Sequence, residues 1–254
     1  IAFGADIDLD EVGGGIPAGS GPDAAFVSFG GATLTLGDTD GGFDKAMSEL
    51  DAVGDINDSI SEHPGFNGNS GLDGTYDGQI ARVDYGFADF GVSLSLEGDD
   101  TGTGDAIIGL GVTYSADLGG TDLGLGVGYQ QQADDGAGNE TSVTGLSLSA
   151  GLAAGITAGL NYSMMSGDLM AEDQTHIGVG VTYSLNALTL TANYGQYDNL
   201  GGVDGDEATG FGVAAGYDLG GGLEIKAGYG DGETETAAGT VETDTFSLGL
   251  AMSF

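Results

Sequence analysis

The chain has 254 residues, and its 40 acidic side chains stand against only 3 basic ones, which gives a formal net charge of −37. Such a charge repels nucleic acid and anionic lipid surfaces and argues against both as partners. Hydrophobic residues make up 40% of the sequence, too many for a disordered acidic chain, and no apolar run is long enough for a membrane helix.

The predicted elements are short strands throughout. A strand at residues 1–9 and a hairpin of 24–29 and 32–36 come before a long acidic segment, 37–78. From Gln79 onward, stretches of about nine residues alternate between apolar and small or polar residues, and each ends in turn residues. Short turns are expected at 88–89, 116–120, 153–155, 184–187 and 218–222, and long acidic loops at 98–104, 130–140, 166–174, 196–207 and 231–242.

Short turns on one side and long loops on the other are typical of up-and-down membrane barrels. Within each strand the apolar residues keep one phase, as Leu110 and Val179 do, while Gly111 and Gly180 take the other phase. We therefore expect Leu110 and Val179 to face lipid. A charge there should cost far more than at Gly111 or Gly180, which should face a wet lumen. A soluble sandwich would show the same alternation.

Tyrosine placement favours the membrane barrel over the sandwich. Eight of the ten tyrosines fall at strand ends on the apolar phase. Two aromatic rows that bound an apolar band are the interfacial girdles of outer-membrane barrels. The lower row is expected to hold Tyr85, Tyr114, Tyr183 and Tyr217, and the upper row Tyr129, Tyr162, Tyr194 and Tyr229. The chain then forms a single all-β domain, residues 1–254, with fourteen antiparallel strands and an outward-facing Phe254 at its end.

The long segment carries an amphipathic pattern. Phe43, Met47, Leu50 and Val53 recur at helical spacing, and Gly54 is the expected C-cap. The opposite face carries Asp44, Ser48, Asp51 and Asp55, and Asp58, Glu62 and His63 follow. This predicts a short turn that lies on the inner barrel wall and shows carboxylates to a pore. The alternative is a solvated acidic loop outside the barrel.

Charged wall residues should face this segment. By phase, Arg82 and Asp84 point inward from one strand, and Glu224 and Lys226 from another. The predicted pore constriction therefore consists of Asp44, Asp51, Asp55, Asp58, Glu62, Arg82, Asp84, Glu224 and Lys226. Since Lys45, Arg82 and Lys226 are the whole basic inventory, the pore should be net negative and should prefer cations. Each basic residue is alternatively a structural salt bridge.

Metal chemistry has weak support in the sequence. The absence of cysteine excludes disulfides and thiolate metal sites. Asp38, Asp40 and Asp44 are candidate Ca²⁺ ligands, although the spacing is not that of an EF-hand and a solvated loop explains them equally simply. His63 and His176 stand too far apart in sequence to suggest a metal pair, and His176 is expected to be a lumen residue. No cofactor is required.

The chain resembles the trimeric general porins of alphaproteobacteria, the Rhodobacter type. The resemblance rests on FGGATLTLGD at 29–38, ARVDY at 81–85, YDLGGGLEIKAGY at 217–229 and FSLGLAMSF at 246–254. It implies a sixteen-stranded barrel of the bacterial outer membrane, of which strands three to sixteen are present and the first hairpin is missing. It places segment 37–78 at the third, constricting loop, which usually faces a basic cluster on the wall.

The resemblance also implies function and partners. The expected protein is a non-enzymatic general diffusion channel for small hydrophilic solutes and ions. It should assemble as a homotrimer through its low-numbered strands, within outer-membrane lipid and lipopolysaccharide. Two other readings stay open at this point. One is a secreted acidic calcium-binding β-roll or adhesin, whose tandem GGxGxD repeats are not found here. The other is an outer-membrane barrel hydrolase, for which only His176 offers a candidate group.

Overall fold

The computed structural model describes residues 2–6, 24–48, 50, 62–99 and 101–252. In this part of the chain, fourteen strands form one sheet, and each strand pairs antiparallel with its neighbours in chain order. The strands are β1 Ala2–Asp6, β2 Ala24–Phe29, β3 Ala32–Asp38, β4 Gln79–Phe87, β5 Phe90–Glu97, β6 Ile107–Asp117, β7 Asp122–Gln132, β8 Thr141–Leu152, β9 Ile156–Gly167, β10 Gln174–Leu185, β11 Leu188–Asp198, β12 Glu207–Gly220, β13 Leu223–Thr236 and β14 Gly239–Met252.

With one exception, the connections alternate in length as the sequence predicts. Two-residue turns join β4 to β5 and β10 to β11, and each has a residue with positive φ, Ala88 at 50° and Asn186 at 54°. Positive φ is the geometry that tight hairpins need to follow the twist of their strands. Most connections at the other ends of the strands are longer, as between β5 and β6 and between β7 and β8. The long loop expected at 231–242 is wrong, because residues 231–236 pair in register with 239–244 and leave a two-residue turn between β13 and β14. The strand count and this up-and-down order confirm the all-β prediction.

The outer face of the sheet is apolar and exposed. Leu110 is 39% exposed and Val179 41%, as expected for side chains that face lipid rather than a protein core. Aromatic rings line the edge near the short turns. Phe87 stacks on Phe90 with ring centroids 5.5 Å apart, and Phe90 lies 4.8 Å from Tyr114. At the opposite edge, Tyr194 pairs with Phe211 and Tyr229 with Phe246, and the ring centroids of Phe211 and Tyr229 are 6.3 Å apart.

The first and last strands do not pair with each other in the described part of the chain, so the sheet is open along that seam. Phe254 lies outside the described residues. None of the helical segments that the structure describes has the length and apolar character needed to cross a membrane. Among the described residues, the short helical turns are 3₁₀ turns, at Asp44–Ala46, Ala153–Gly155 and Leu200–Gly202.

Candidate functional site

The segment between β3 and β4, residues 39–78, lies against the inner face of the sheet wherever the structure describes it; we call it the inserted loop. The Gly42 amide donates to Ser95 Oγ at 2.7 Å, and Ser147 Oγ donates to the Ala46 carbonyl at 3.2 Å. Farther along, Asn161 Nδ2 donates to the carbonyl oxygen of Ser48 at 3.3 Å. These contacts run from β5 to β9 across the wall. The alternative of a solvated loop outside the barrel is therefore wrong.

The apolar side of the inserted loop anchors it to the wall. Phe43 is 1% exposed, and Met47 and Leu50 are each 8% exposed. Phe43 and Met47 share one buried cluster with Leu72 of the loop and with Ile107 and Val143 of the wall. Burial of Phe43, Met47 and Leu50 confirms the apolar side of the predicted pattern as far as Leu50. The helical turn is shorter than that pattern predicts, because it covers only Asp44–Ala46 and Met47 has extended backbone (φ −87°, ψ 147°). Val53 and Gly54 lie outside the described residues.

Inward-facing glycines of the wall let the loop approach this closely. A Cβ atom on Gly111 would overlap the carbonyl oxygen of Gly42, and one on Gly126 would overlap that of Ala46. On Gly145 it would lie 2.8 Å from the Met47 side chain and from the Phe43 ring. We call Gly111, Gly126 and Gly145 the glycine seat.

This contradicts the expectation that inward glycines merely face a wet lumen and tolerate charge. Gly111 is occupied by the loop backbone, and a Cβ on Gly180 would lie 3.0 Å from the Leu50 carbonyl oxygen. Alternation in the sequence gives the direction of a residue, but not what covers it.

Buried polar side chains hold the second half of the loop. Glu97 is almost fully buried, and its carboxylate accepts the amide N–H groups of Gly74, Tyr76 and Gly78 at 3.1, 3.2 and 2.9 Å. These three hydrogen bonds offset the free-energy cost of burying the charged Glu97 carboxylate. The loop therefore returns to β4 along a fixed path.

A second anchor joins the two halves of the loop to β7. Gln130 Oε1 accepts the Leu72 amide at 2.7 Å, and Gln130 Nε2 donates to Asp73 Oδ1 at 2.5 Å. The other Asp73 oxygen accepts the Gly41 amide at 2.6 Å. Burial raises the pKa of Asp73 to about 6, because desolvation of the carboxylate outweighs these two hydrogen bonds.

Arg82 lies beneath the start of the inserted loop. Its Nε donates to Asp84 Oδ2 at 3.0 Å, and its Nη1 donates to Thr39 Oγ1 at 3.2 Å and to the Asp40 carbonyl. The Asp40 carboxylate is 4.0 Å away, and the Arg82 side chain is 7% exposed. The Arg82 charge is therefore balanced by Asp84 on the same strand, and its Nη1 group holds Thr39 and Asp40 of the loop against the wall.

Lys226 and Glu224 form the second wall pair, with Nζ and Oε2 3.6 Å apart. The lysine is buried and the carboxylate is partly exposed. Lys45, on the 3₁₀ turn, is exposed. On the short-turn side of the loop, it borders a space of about 520 Å³ with Asp84 and a set of wall hydroxyls: Ser28, Thr33, Thr35, Ser93 and Thr113.

The remaining predicted constriction residues divide into two groups. Asp44 is partly buried on the 3₁₀ turn, and Glu62 is exposed while its backbone carbonyl accepts the Thr245 hydroxyl at 3.1 Å. Asp51, Asp55 and Asp58 lie outside the described residues, so their place in the constriction stays a prediction. Ser95, Glu97 and Gln130 carry more of the loop geometry than the charged wall pairs. In the sequence, the one signal that could identify these three residues is their position on the inward-facing phase of their strands.

The candidate calcium ligands are not gathered into a site. Asp38 ends β3, Asp40 is exposed near Arg82, and Asp44 lies on the turn. Within the described ranges there is no group of three or more His, Asp or Glu side chains that could hold a metal ion.

The structure also corrects the expectation that His176 is a lumen residue. It lies beneath the inserted loop, where its Nε2 is 3.0 Å from the Gly65 carbonyl oxygen, and it shares a pocket with His63.

Comparison with known proteins gives a consistent result. The sequence matches the family described as Gram-negative porin over residues 2–237. No curated protein sequence matches the chain. Among solved structures, the fold is similar to a porin refined at 1.8 Å resolution, with 20% identity, a TM-score of 0.64, and coverage of 91% of this chain and 81% of that one.

Two further structures share the fold. OmpT of Vibrio cholerae, expressed in the outer membrane, is 17% identical with a TM-score of 0.63, over 91% of this chain and 80% of its own. A double mutant of the Rhodopseudomonas blastica porin is 19% identical with a TM-score of 0.55, over 99% of this chain and 88% of its own. With the apolar outer face, the aromatic rows and the inserted loop, these matches confirm the resemblance. The chain belongs to the Gram-negative porins, channel-forming β-barrels of the outer membrane.

Proposed function

We propose that this porin is a passive, cation-preferring diffusion channel for small hydrophilic solutes and ions, with neither a catalytic group nor a bound cofactor required. The observation that supports the proposal most directly is that most of the basic side chains are buried in ion pairs. The sequence has three, and Arg82 and Lys226 are both buried in ion pairs with wall carboxylates. Lys45 is thus the one exposed basic side chain in the chain regions that the structure describes.

Carboxylates outnumber this lysine around the loop. Asp40 and Glu62 are exposed, Asp44 is partly exposed, and Glu224 adds a carboxylate from the wall. A ring of carboxylates lowers the electrostatic cost for a cation entering a narrow wet constriction and raises it for an anion. Mobile ions screen fixed charge over about 10 Å at 0.1 M salt, so the preference should weaken as the salt concentration rises.

The test is the reversal potential in planar bilayers under a dilute KCl gradient. The triple variant Asp40→Asn, Asp44→Asn and Glu62→Gln should lower the cation/anion permeability ratio. The matched control neutralises three exposed carboxylates of the outer loops, with Glu172→Gln, Asp173→Asn and Asp204→Asn. It should change the ratio much less. Equal effects would assign selectivity to the charge of the whole molecule and contradict the constriction proposal.

We also propose that the channel is a homotrimer whose contacts involve the hairpin of β2 and β3. A V. cholerae OmpT structure is described as a trimer form, and the outer face of this hairpin carries exposed apolar residues such as Phe29 and Leu36. Light scattering in mild detergent tests the assembly. A mass of three chains is expected, and a monomer would contradict it.

For the lipid contact, we propose that lipopolysaccharide borders the upper aromatic row in the outer leaflet. The support is the position of that row alone, since Tyr229 and Phe246 mark where the apolar outer face ends. Asp231 and Asp244, the next residues on the same face, would repel the phosphates of the lipid unless divalent cations lie between them. Copurification of lipopolysaccharide with the detergent-extracted protein is the expected result. Protein that retains full trimer stability after complete removal of lipopolysaccharide would contradict a stabilising contact.

A further inference from the structure

Two histidines that are distant in sequence meet where the inserted loop returns across β10 and β11. His63, on the loop, is 6% exposed, and His176, on β10, is 3% exposed. With Asn161 and Asn193 they line a cavity of about 10 Å³ between loop and wall. A void of that size is at the lower limit for a single water molecule.

The polar atoms of this pocket are poorly satisfied. Neither ring nitrogen of His63 has a hydrogen-bond partner, nor has either amide atom of Asn193. His176 Nε2 lies 3.0 Å from the Gly65 carbonyl oxygen and must therefore carry the proton that it donates. The other ring nitrogen, Nδ1, also lacks a partner. Among the described residues, no acceptor faces a second proton on either ring and no carboxylate lines the pocket, so burial favours the neutral form of both histidines, and each unpaired buried atom costs the seated loop free energy.

The loop arm around His63 is pressed onto glycines, so the ring has little room to move while the arm stays in place. A Cβ on Gly195 would overlap the Gly65 carbonyl oxygen, and one on Gly210 would lie 2.6 Å from His63 Nδ1. At the start of the arm, the Glu62 carbonyl is held by the Thr245 hydroxyl. His63 can therefore reach water only if residues 62–66 lift away from the wall.

No carboxylate side chain lines this pocket in the part of the chain that the structure describes. The titratable neighbours are His176 on β10, whose ring centroid lies 4.5 Å from that of Tyr197, and Tyr194 on β11. Beside His63 in sequence, Glu62 is exposed. β13 faces the arm with glycines, since a Cβ on Gly230 would overlap the Glu62 carbonyl oxygen and one on Gly232 would lie 2.9 Å from Pro64 Cδ. A proton on either histidine would thus be a buried charge without a counter-charge.

We propose that the His63–His176 pocket is a proton-operated latch for residues 62–66 of the inserted loop. At neutral pH both rings are neutral and the arm is seated. In acid, protonation expels His63 from the pocket, and the released arm enters the lumen and reduces the current. The latch is independent of whether the pore prefers cations.

The direction of the pH dependence follows from burial. Desolvation lowers the pKa of His63 from its ordinary value of 6.5, a nearby Asn193 amide raises it part of the way back, and His176 lowers it further. The released arm therefore binds protons more tightly than the seated arm. Seating is stable above about pH 6.5 and is lost as the pH falls below that value. The buried Asp73 has a raised pKa and responds with the opposite sign, so it cannot produce release in acid.

The first experiment records single channels of the full-length protein in planar bilayers between about pH 7 and pH 5. The equilibrium between low-current and open levels should shift toward closure by up to about 25-fold as His63 takes up a proton, if its pKa in the released arm is the ordinary 6.5. His63→Gln and His176→Gln should each reduce the shift, and the double variant should abolish it. Asp204→Asn, on an exposed outer loop, is the control and should leave the shift unchanged.

A second experiment keeps both histidines and fixes the arm. Since the chain has no cysteine, Glu62→Cys with Thr245→Cys introduces a single possible disulfide at the Glu62–Thr245 contact. The oxidised channel should show no acid-induced closure, and reduction should restore it. The latch is overturned if the double glutamine variant closes in acid like the wild type, or if the oxidised channel does.

Discussion

The glycine seat should be intolerant of even one methyl group. In Gly111→Ala, the new Cβ would overlap the Gly42 carbonyl oxygen, which belongs to backbone and cannot rotate away as a flexible side chain would. Gly42 is also fixed by its amide, which donates to Ser95 Oγ at 2.7 Å. Overpacking of this kind costs about 1–3 kcal/mol. At about 2 kcal/mol, the unseated fraction of the loop would rise roughly 30-fold.

Gly86→Ala is the matched control. Gly86 is also on a strand and of inward phase, but a Cβ there would meet nothing within 4 Å. Thermal unfolding and single-channel current noise should both change in Gly111→Ala and stay near wild type in Gly86→Ala. If the two variants behave alike, the loop does not rest on the wall as described, and the glycine seat is wrong.

Three further predictions concern other parts of the molecule. Leu110→Lys, on the lipid-facing phase, should lower the free energy of unfolding by about 2–4 kcal/mol in a bilayer folding assay, whereas the same change at exposed Thr101 should cost little. The carboxyl of Asp73 should titrate with a pKa of about 6 by NMR, and a pKa near the ordinary 3.8 would contradict its burial. Because the seated loop favours the protonated carboxyl, the stability of the seated loop should fall as the pH rises from 3.8 to about 6. Glu97→Ala leaves three loop amides without their acceptor and should increase amide exchange at Gly74, Tyr76 and Gly78 more than elsewhere in the loop, and an unchanged exchange rate would contradict that anchor.

The fold follows from the sequence because its signals are local and repeated. Period-two alternation sets the face of residues such as Leu110, the turn residues set the hairpins, and the tyrosines predict where the apolar band ends on both sides. Each signal needs only a few neighbouring residues. The insertion of segment 37–78 could be inferred from its apolar stripe, since Phe43, Met47 and Leu50 need an apolar surface to cover them.

The details of the site depend on contacts between residues far apart in sequence, which no local pattern contains. Gly111 has the same phase as any lumen glycine, and only the fold shows that Gly42 covers it. His63 and His176 are 113 positions apart by numbering, yet they line one pocket. Arg82 was expected to project its charge into the pore, but its donors instead bind Thr39 and the Asp40 carbonyl.

The most direct test of the central claim is the conductance and reversal potential of the purified protein in planar bilayers. The inserted loop and its carboxylates predict discrete, stable channels whose cation/anion permeability ratio exceeds one in dilute KCl and declines as the salt concentration rises above about 0.1 M. Absence of channels, or a ratio at or below one in dilute salt, would contradict a net-negative constriction.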